Sequence, residues 1–340
     1  MSGSLLESGP PKPLALPRST ATVEAELRAL LDAGELNIPL PGDGATAWRW
    51  AALAGWGRRD LTLARLAEGH VDAVAILADA GRTPVGRAVY GVWAARSGGT
   101  GAELLAGSDG PELSGTVRFC SGAHVLDRAL VAAVAPGADG ATGQLVEVDL
   151  ADPRVRRGDD TWQAIGMDAS DSGDVTFDRV PVTPDALVGA PGWYVGRPGF
   201  AHGGIGVAAV WLGGCAAVLD SVLVVLRERG KPDPHQLAHV GAMYAAIQGA
   251  EALLRRAADD IDAAPRADAA LLGQTCRAIV ERAAGELLDR APKVTGPGPL
   301  CRDRRFPQQL ADLQVYVRQH HAERDLAALG ARVHELGSVR

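Results

Sequence analysis

Leu113–Ala123 reads Leu-Ser-Gly-Thr-Val-Arg-Phe-Cys-Ser-Gly-Ala, and about forty residues on Ile165–Val182 reads Ile-Gly-Met-Asp-Ala-Ser-Asp-Ser-Gly-Asp-Val-Thr-Phe-Asp-Arg-Val-Pro-Val. Within them, Thr116–Cys120 and Asp174–Val182 are short runs of β-branched and aromatic residues bounded by Gly, Ser and Asp. Runs of that kind are strands punctuated by turns. Working outward, Val89–Ala94, Ala129–Ala135 and Gly143–Val148 share the texture, with turn chemistry in Gly137–Gly140 and loop chemistry in Pro153–Asp160.

On both sides the apolar spacing changes to three and four residues, the period of helices. Val23–Leu31, Ala45–Ala54 and Arg59–Leu77 come before, and Gly204–Glu228, His235–Ala263, Ala267–Asp289 and Pro307–Leu336 come after. The fold class is therefore α+β. A flexible lead-in rich in Pro, Ser and Gly covers 1–19, a short helical domain 20–84, a central β-barrel or sandwich domain 85–190, and a four-helix bundle domain 191–340. Gly203–Leu226 is apolar except for Asp220 and long enough to span a bilayer. Its five glycines, and the amphipathic helices that follow, identify it instead as a buried bundle helix, so no membrane is expected.

The bulk numbers fit that reading. A chain of 340 residues with 47% hydrophobic and 22% charged residues is an ordinary soluble protein. A net charge of −7 argues against a nucleic-acid partner, which rewards a basic surface. The only lysines are Lys12, Lys231 and Lys293, so the many arginines reflect a compositional bias rather than phosphate recognition. Cys120, Cys215, Cys276 and Cys301 show neither metal nor disulfide spacing, and a cytoplasmic setting is expected. No basic start followed by an apolar run marks a signal peptide.

The two opening stretches resemble the middle β-domain of acyl-CoA dehydrogenases. There a Leu-Asn-Gly-x-Lys-x-Trp-Ile-Thr-Asn strand walls the flavin, and a Gly-x-Arg-Gly-Ser…Phe-x-x-Val-x-Val strand leads into a helical domain. Leu66–Ala73 resembles the last N-terminal helix of the family and Tyr90–Ala94 its first β-domain strand. The N-terminal domain is shortened, and the family's Thr-Glu-Pro…Gly-Ser-Asp loop is missing; Gly107-Ser108-Asp109 keeps three of its letters in the wrong setting. The resemblance implies FAD as cofactor. It puts Phe119 on the family's Trp, against the flavin ring, and Ser121 on its Thr, with Cys120 between them. Gly230–Gln236 resembles the stretch that reaches FAD in a neighbouring subunit, which brings in Gln236 and Arg227. Gly296 and Gly298 take the place of a glycine-rich loop near the same FAD. A shared cofactor implies a homodimer or homotetramer.

Laying Ala311-Asp312 on the family's Arg-Asp pair puts His320 where the dehydrogenases carry a catalytic carboxylate. His320 is then the general acid–base, because imidazole titrates near neutrality. Leu310, Leu313, Val317 and His320 form one helical face, and His321 beside it is assigned to substrate. Glu323 is the second candidate base, and Asp303, Asp312 and Asp325 are expected to be solvated or capping groups. Trp193, Tyr194 and Arg197, just past the β-to-helix crossing, are placed at the substrate mouth; His70 and His202 are structural.

The reaction implied first is α-proton abstraction from an acyl thioester, with hydride passing to flavin and then to an electron-acceptor flavoprotein. A histidine in place of the carboxylate raises an alternative. Relatives of this fold act as flavin monooxygenases, fed with reduced flavin by a flavin reductase. A second alternative is a non-catalytic subunit in a heteromer with a related chain. No metal site is expected.

Overall fold

The computed structural model describes residues 3–6, 9–138, 142–159 and 161–338; Gly140 and Asp160, ends of an expected turn and loop, lie outside them. Three helices come first: α1 (Thr20–Asp32), α2 (Thr46–Arg59) and α3 (Leu61–Asp79). The Ser19 hydroxyl caps α1 by accepting from the Thr22 amide. Helix α1 turns Val23, Leu27 and Leu30 inward, the stripe its spacing predicts. Asp60 separates α2 from α3 and accepts from the amides of Thr62 and Leu63 at 2.9 and 3.0 Å.

Among the described residues eight strands follow: β1 (Tyr90–Trp93), β2 (Gly101–Gly107), β3 (Gly110–Cys120), β4 (Arg128–Val134), β5 (Gln144–Asp149), β6 (Val155–Arg157), β7 (Gly173–Pro181) and β8 (Leu187–Val188). They form one sheet in the order β6-β7-β3-β2-β4-β5-β8, with β1 parallel to β4. The two stretches quoted at the outset are neighbours: β3 and β7 run antiparallel, with Leu113 opposite Val180, Val117 opposite Val175 and Cys120 opposite Gly173. Strand β2 has no β-branched residue to announce it and is recruited by its hairpin with β3. Strand β6 falls inside the segment expected to be a loop, Pro153–Asp160, and is held by pairing with β7.

The C-terminal part comprises α4 (Trp193–Gly196), α5 (Pro198–Arg229), α6 (Pro234–Ala263), α7 (Ala270–Thr295), α8 (Pro297–Arg302), α9 (Arg305–Tyr316) and α10 (Glu323–Leu336). Helix α5 is the apolar segment, and it lies buried among its neighbours. Glycines let it approach α2 backbone to backbone. A Cβ at Gly213 would stand 2.0 Å from the Ala54 carbonyl oxygen, and one at Gly57 would stand 2.2 Å from that of Val210. Gly166 does the same for α9, since a Cβ there would meet the Ala311 oxygen at 2.0 Å.

Two expectations are corrected. The helix expected over Pro307–Leu336 is broken. After α9 come a 3₁₀ turn at Val317–Gln319, an extended His320 (φ −87°, ψ 119°) and Ala322 at φ +46°, before α10 starts. The lead-in is not loose where it is described. Leu5 and Leu14 are buried, and Glu251 on α6 accepts from the Ser4 hydroxyl and the Leu5 amide. Arg18 is buried at the meeting point of all three parts of the chain. It bonds Asp60 at 2.6 Å, Asp168 at 2.8 Å and both carboxylate oxygens of Asp312 at 2.7 Å. Asp312 also accepts from the Met167 amide at 2.7 Å and Gln308 at 2.9 Å, so it is an interior partner rather than a solvated group.

Removing one partner of a buried ion pair leaves the others uncompensated, so Arg18→Ala is expected to cost about 3–5 kcal/mol in urea unfolding. His70 is buried, its Nδ1 accepts from the Tyr90 amide at 3.2 Å, and burial pushes its pKa down to about 4. The unfolded chain therefore binds the extra proton between about pH 6.5 and 4. Stability from the neutral ring is complete above 6.5 and is lost as pH falls towards 4, by about 3 kcal/mol. His70→Gln should flatten that limb in urea titrations at pH 7 and pH 4.5.

Candidate active site

The β-domain contributes the end of β3. Pairing with β7 is irregular between Val117 and Cys120, and within that irregularity Phe119 takes φ +61°. The residue is 55% exposed. A bulky residue in the left-handed region stores strain, and strain of this kind clusters at ligand sites. An uncovered aromatic face on a strained backbone fits a planar ring system such as a flavin.

The neighbouring residues behave differently from the expectation. Cys120 is fully buried, its thiol reaches back to the Val117 carbonyl at 3.3 Å, and burial pushes the thiol pKa up. It is a packing residue, and only its backbone belongs to the wall. Ser121 is buried as well, and its hydroxyl is already engaged: Arg65 Nε donates to it at 3.1 Å and Ser172 Oγ lies at 2.9 Å. It is a node in a network rather than a free donor to a ring.

That network leads to the bundle. Arg65 Nη1 donates to Glu68 at 2.6 Å, and the Tyr316 hydroxyl donates to the same carboxylate at 3.4 Å. Burial pushes the Glu68 carboxyl up, against the pull of Arg65. The Tyr316 ring stands edge-on to Trp211 at 6.3 Å, and the Arg277 guanidinium lies 4.7 Å over Trp211. Arg277 then donates to the Gln319 carbonyl at 2.8 Å and the Gly204 carbonyl at 3.1 Å. Side chains in contact thus connect the wall at Ser121 to the residue before His320. Arg65, Glu68, Tyr316 and Arg277 were absent from the sequence reading. The available signal was a charge row, Arg65, Glu68 and Asp72, at helical spacing in a segment otherwise full of buried residues.

His320 is 2% exposed, as the apolar face predicted, although it sits in the break rather than on a helix. Its Nδ1 is buried with no partner among the described residues. Burial holds its pKa below the ordinary histidine value, so the imidazole is neutral at pH 7. The segment carrying it is clamped by Arg277, by an Arg318–Glu281 ion pair to α7, and by Asp325 accepting from the His321 amide at 3.0 Å. The other two candidates here are corrected. His321 is exposed and pairs with Asp325 at 3.3 Å, because the extended backbone turns successive side chains to opposite sides. Glu323 is exposed in the first turn of α10, where a carboxylate complements the helix dipole.

Arg197 is buried between Trp193 and Tyr194, 5.6 and 5.7 Å from their ring centroids, and its Nη1 is held by Asp79 at 2.6 Å. At the other end of the bundle the Gly230–Gln236 turn does meet the Gly296 loop. Arg229 donates to the Thr295 carbonyl at 2.6 Å, and a Cβ on Gly298 would lie 3.3 Å from its other nitrogen. Gln236 is spent on local structure. Its oxygen accepts from the Asp233 amide in a capping box, and its nitrogen donates to the Val294 carbonyl at 3.0 Å. Arg227 is exposed in the last turn of α5. Gly296, at φ +65°, ends α7 and opens α8.

Residues 190–317 match the family model of the acyl-CoA dehydrogenase C-terminal domain. The chain is similar to dibenzothiophene monooxygenase of Rhodococcus erythropolis, with 33% identity over 168 residues, 43% of this chain and 40% of that protein. It is 26% identical over 253 residues to a probable FMNH2-dependent monooxygenase of Pseudomonas putida, covering 66% of this chain and 61% of the relative. The matches thus span about two fifths to three fifths of those relatives. Among solved structures, dibenzothiophene monooxygenase from Paenibacillus sp. A11-2 with FMN and indole superposes with a TM-score of 0.74 at 22% identity, over 92% of each chain.

Phe119→Gly is expected to raise stability by about 1 kcal/mol through relief of strain, read as a higher urea midpoint. Flavin affinity, read by quenching of flavin fluorescence, should fall about fivefold with the lost aromatic stack.

Proposed function

We propose that this chain, whose residues 190–317 match the acyl-CoA dehydrogenase C-terminal domain and whose fold is that of the solved monooxygenase compared above, is a monooxygenase that receives reduced flavin from a separate reductase. The observation that carries this is His320. It is buried and neutral with Nδ1 open, at the position where dehydrogenation would call for a carboxylate, while Glu323 points into solvent. The monooxygenases among its relatives support this reading over the thioester dehydrogenation that the sequence suggested first.

A bound reduced flavin would supply two electrons to molecular oxygen, one oxygen atom entering the substrate and the other leaving as water. This chain's residues do the rest. Phe119 orients the ring from one side. His320, desolvated and clamped, holds or returns a proton at Nδ1. The Arg65–Glu68–Tyr316 chain fixes the β3 wall relative to the segment that carries His320. We take the flavin as FMN rather than the expected FAD. Gln236 is bonded internally at both ends, and only residues 94–100 join β1 to β2 where the dehydrogenase loop would run. The argument for a shared cofactor then lapses. A homo-oligomer is still proposed, through the exposed Leu237 and Tyr244 of α6.

The test is anaerobic. The protein should bind reduced FMN at least tenfold more tightly than oxidised FMN, and acyl-CoA thioesters should leave bound oxidised flavin unbleached. Bleaching by an acyl-CoA would restore the dehydrogenase. His320→Ala should keep flavin affinity within about twofold while releasing more hydrogen peroxide when oxygen is admitted, because a proton is no longer controlled beside the flavin.

A further inference from the structure

Arg65, Glu68 and Asp72 follow one another at three- and four-residue spacing and so share a face of α3. Charges inside a protein are costly unless paired. Arg65 and Glu68 satisfy one another at 2.6 Å. Asp72 does not: it is half-buried, and its carboxylate makes neither hydrogen bond nor ion pair among the described residues. It presses against α5, where a Cβ on Gly203 would stand 2.6 Å from Oδ1. The cations around it are committed elsewhere. Arg197 gives Nη1 to Asp79, and Arg49 donates to the carbonyls of Pro39 and Val71.

Other groups at this junction are also short of partners. Tyr194 sits in its electrostatic field, half-buried, with a hydroxyl that makes no hydrogen bond among the described residues. Arg197 Nε and His202 Nε2, both on residues more than nine-tenths buried, have none either. Buried polar atoms without partners are rare, and two of them stand at one junction of α3, α4 and α5 with the unpartnered Asp72 carboxylate and Tyr194 hydroxyl, which marks a place built to meet polar atoms.

We propose that this junction is the substrate-recognition face of the oxygenase, and that Asp72 and Tyr194 there receive a hydrogen-bond donor, an amino or hydroxyl group, of a polar substrate. The proposal rests on the monooxygenase reading and adds the substrate class. A flat apolar heterocycle would leave all four groups unsatisfied, and a site built to hydrogen-bond rejects analogues that lack the bonding group. The charges of the row and its neighbours balance, three arginines (Arg49, Arg65, Arg197) against three carboxylates (Glu68, Asp72, Asp79), so a neutral donor suits it as well as a cation.

Matched probes test it: benzylamine and benzyl alcohol carry the donor, and toluene has the same ring without one. In calorimetric titrations of FMN-loaded protein, the donor-bearing probes should bind at least tenfold more tightly than toluene, the worth of one hydrogen bond to a charged group. Asp72→Ala should remove the advantage, Asp72→Asn should keep part of it through its carbonyl oxygen, and Tyr194→Phe should reduce it. FMN affinity, measured on the same samples, should not change in any of the three. Toluene binding as well as the donor-bearing probes, or an advantage that survives in Asp72→Ala, overturns the proposal. Failure of the wild-type protein to bind FMN counts against the monooxygenase reading instead, and the same probes titrated without flavin then decide the recognition face separately.

Discussion

Arg18 fastens together three parts of the chain that lie far apart in sequence. Its guanidinium carries one charge, and three carboxylates converge on it: Asp60 between α2 and α3, Asp168 in the loop before β7, and Asp312 on α9. In the interior each needs the others, because an unpaired charge there costs several kcal/mol. The same carboxylate of Asp312 takes the amide of Met167, and Gly166 has no side chain to keep α9 away. The β-domain loop is thereby fastened to the helix that delivers His320, and the geometry of the site is inherited from this joint.

A second polar line runs through the middle of the molecule, from Ser121 through Arg65, Glu68 and Tyr316 to the Arg277 clamp. A fold of this size could fill that space with leucine. Fully bonded polar networks cost little and specify one arrangement, whereas partly bonded ones are expensive. The line is bonded from β3 to the His320 segment, whereas Asp72, one turn beyond Glu68 on the same face of α3, has no hydrogen-bond partner among the described residues. That contrast is what the proposed recognition face rests on.

How much could be read beforehand depended on the range of the interaction. Strands β3 and β7 were legible because β-branched runs and their Gly and Ser boundaries are local signals. The burial of His320 was legible from the apolar face of Leu313 and Val317. The break at Ala322 was not, since the apolar spacing continues into α10 and a single left-handed residue leaves no periodic trace. Arg18 was the largest omission. Its partners lie 42, 150 and 294 residues away, so an arginine in a proline-rich lead-in looked like any other. Gln236 illustrates the opposite error: a residue matched by resemblance whose side chain is consumed by the capping box of its own helix. Resemblance located the segment correctly, but which atoms remain free is decided by packing.

The central claim is that a flavin ring lies between the strained aromatic at the end of β3 and the desolvated imidazole in the break after α9. A crystal structure of the protein soaked with FMN measures this directly. The account predicts the isoalloxazine against the Phe119 ring, with His320 Nδ1 within hydrogen-bond reach of the ring or of one bridging water. A flavin bound elsewhere, or one against Phe119 with His320 turned away behind intervening side chains, would contradict it.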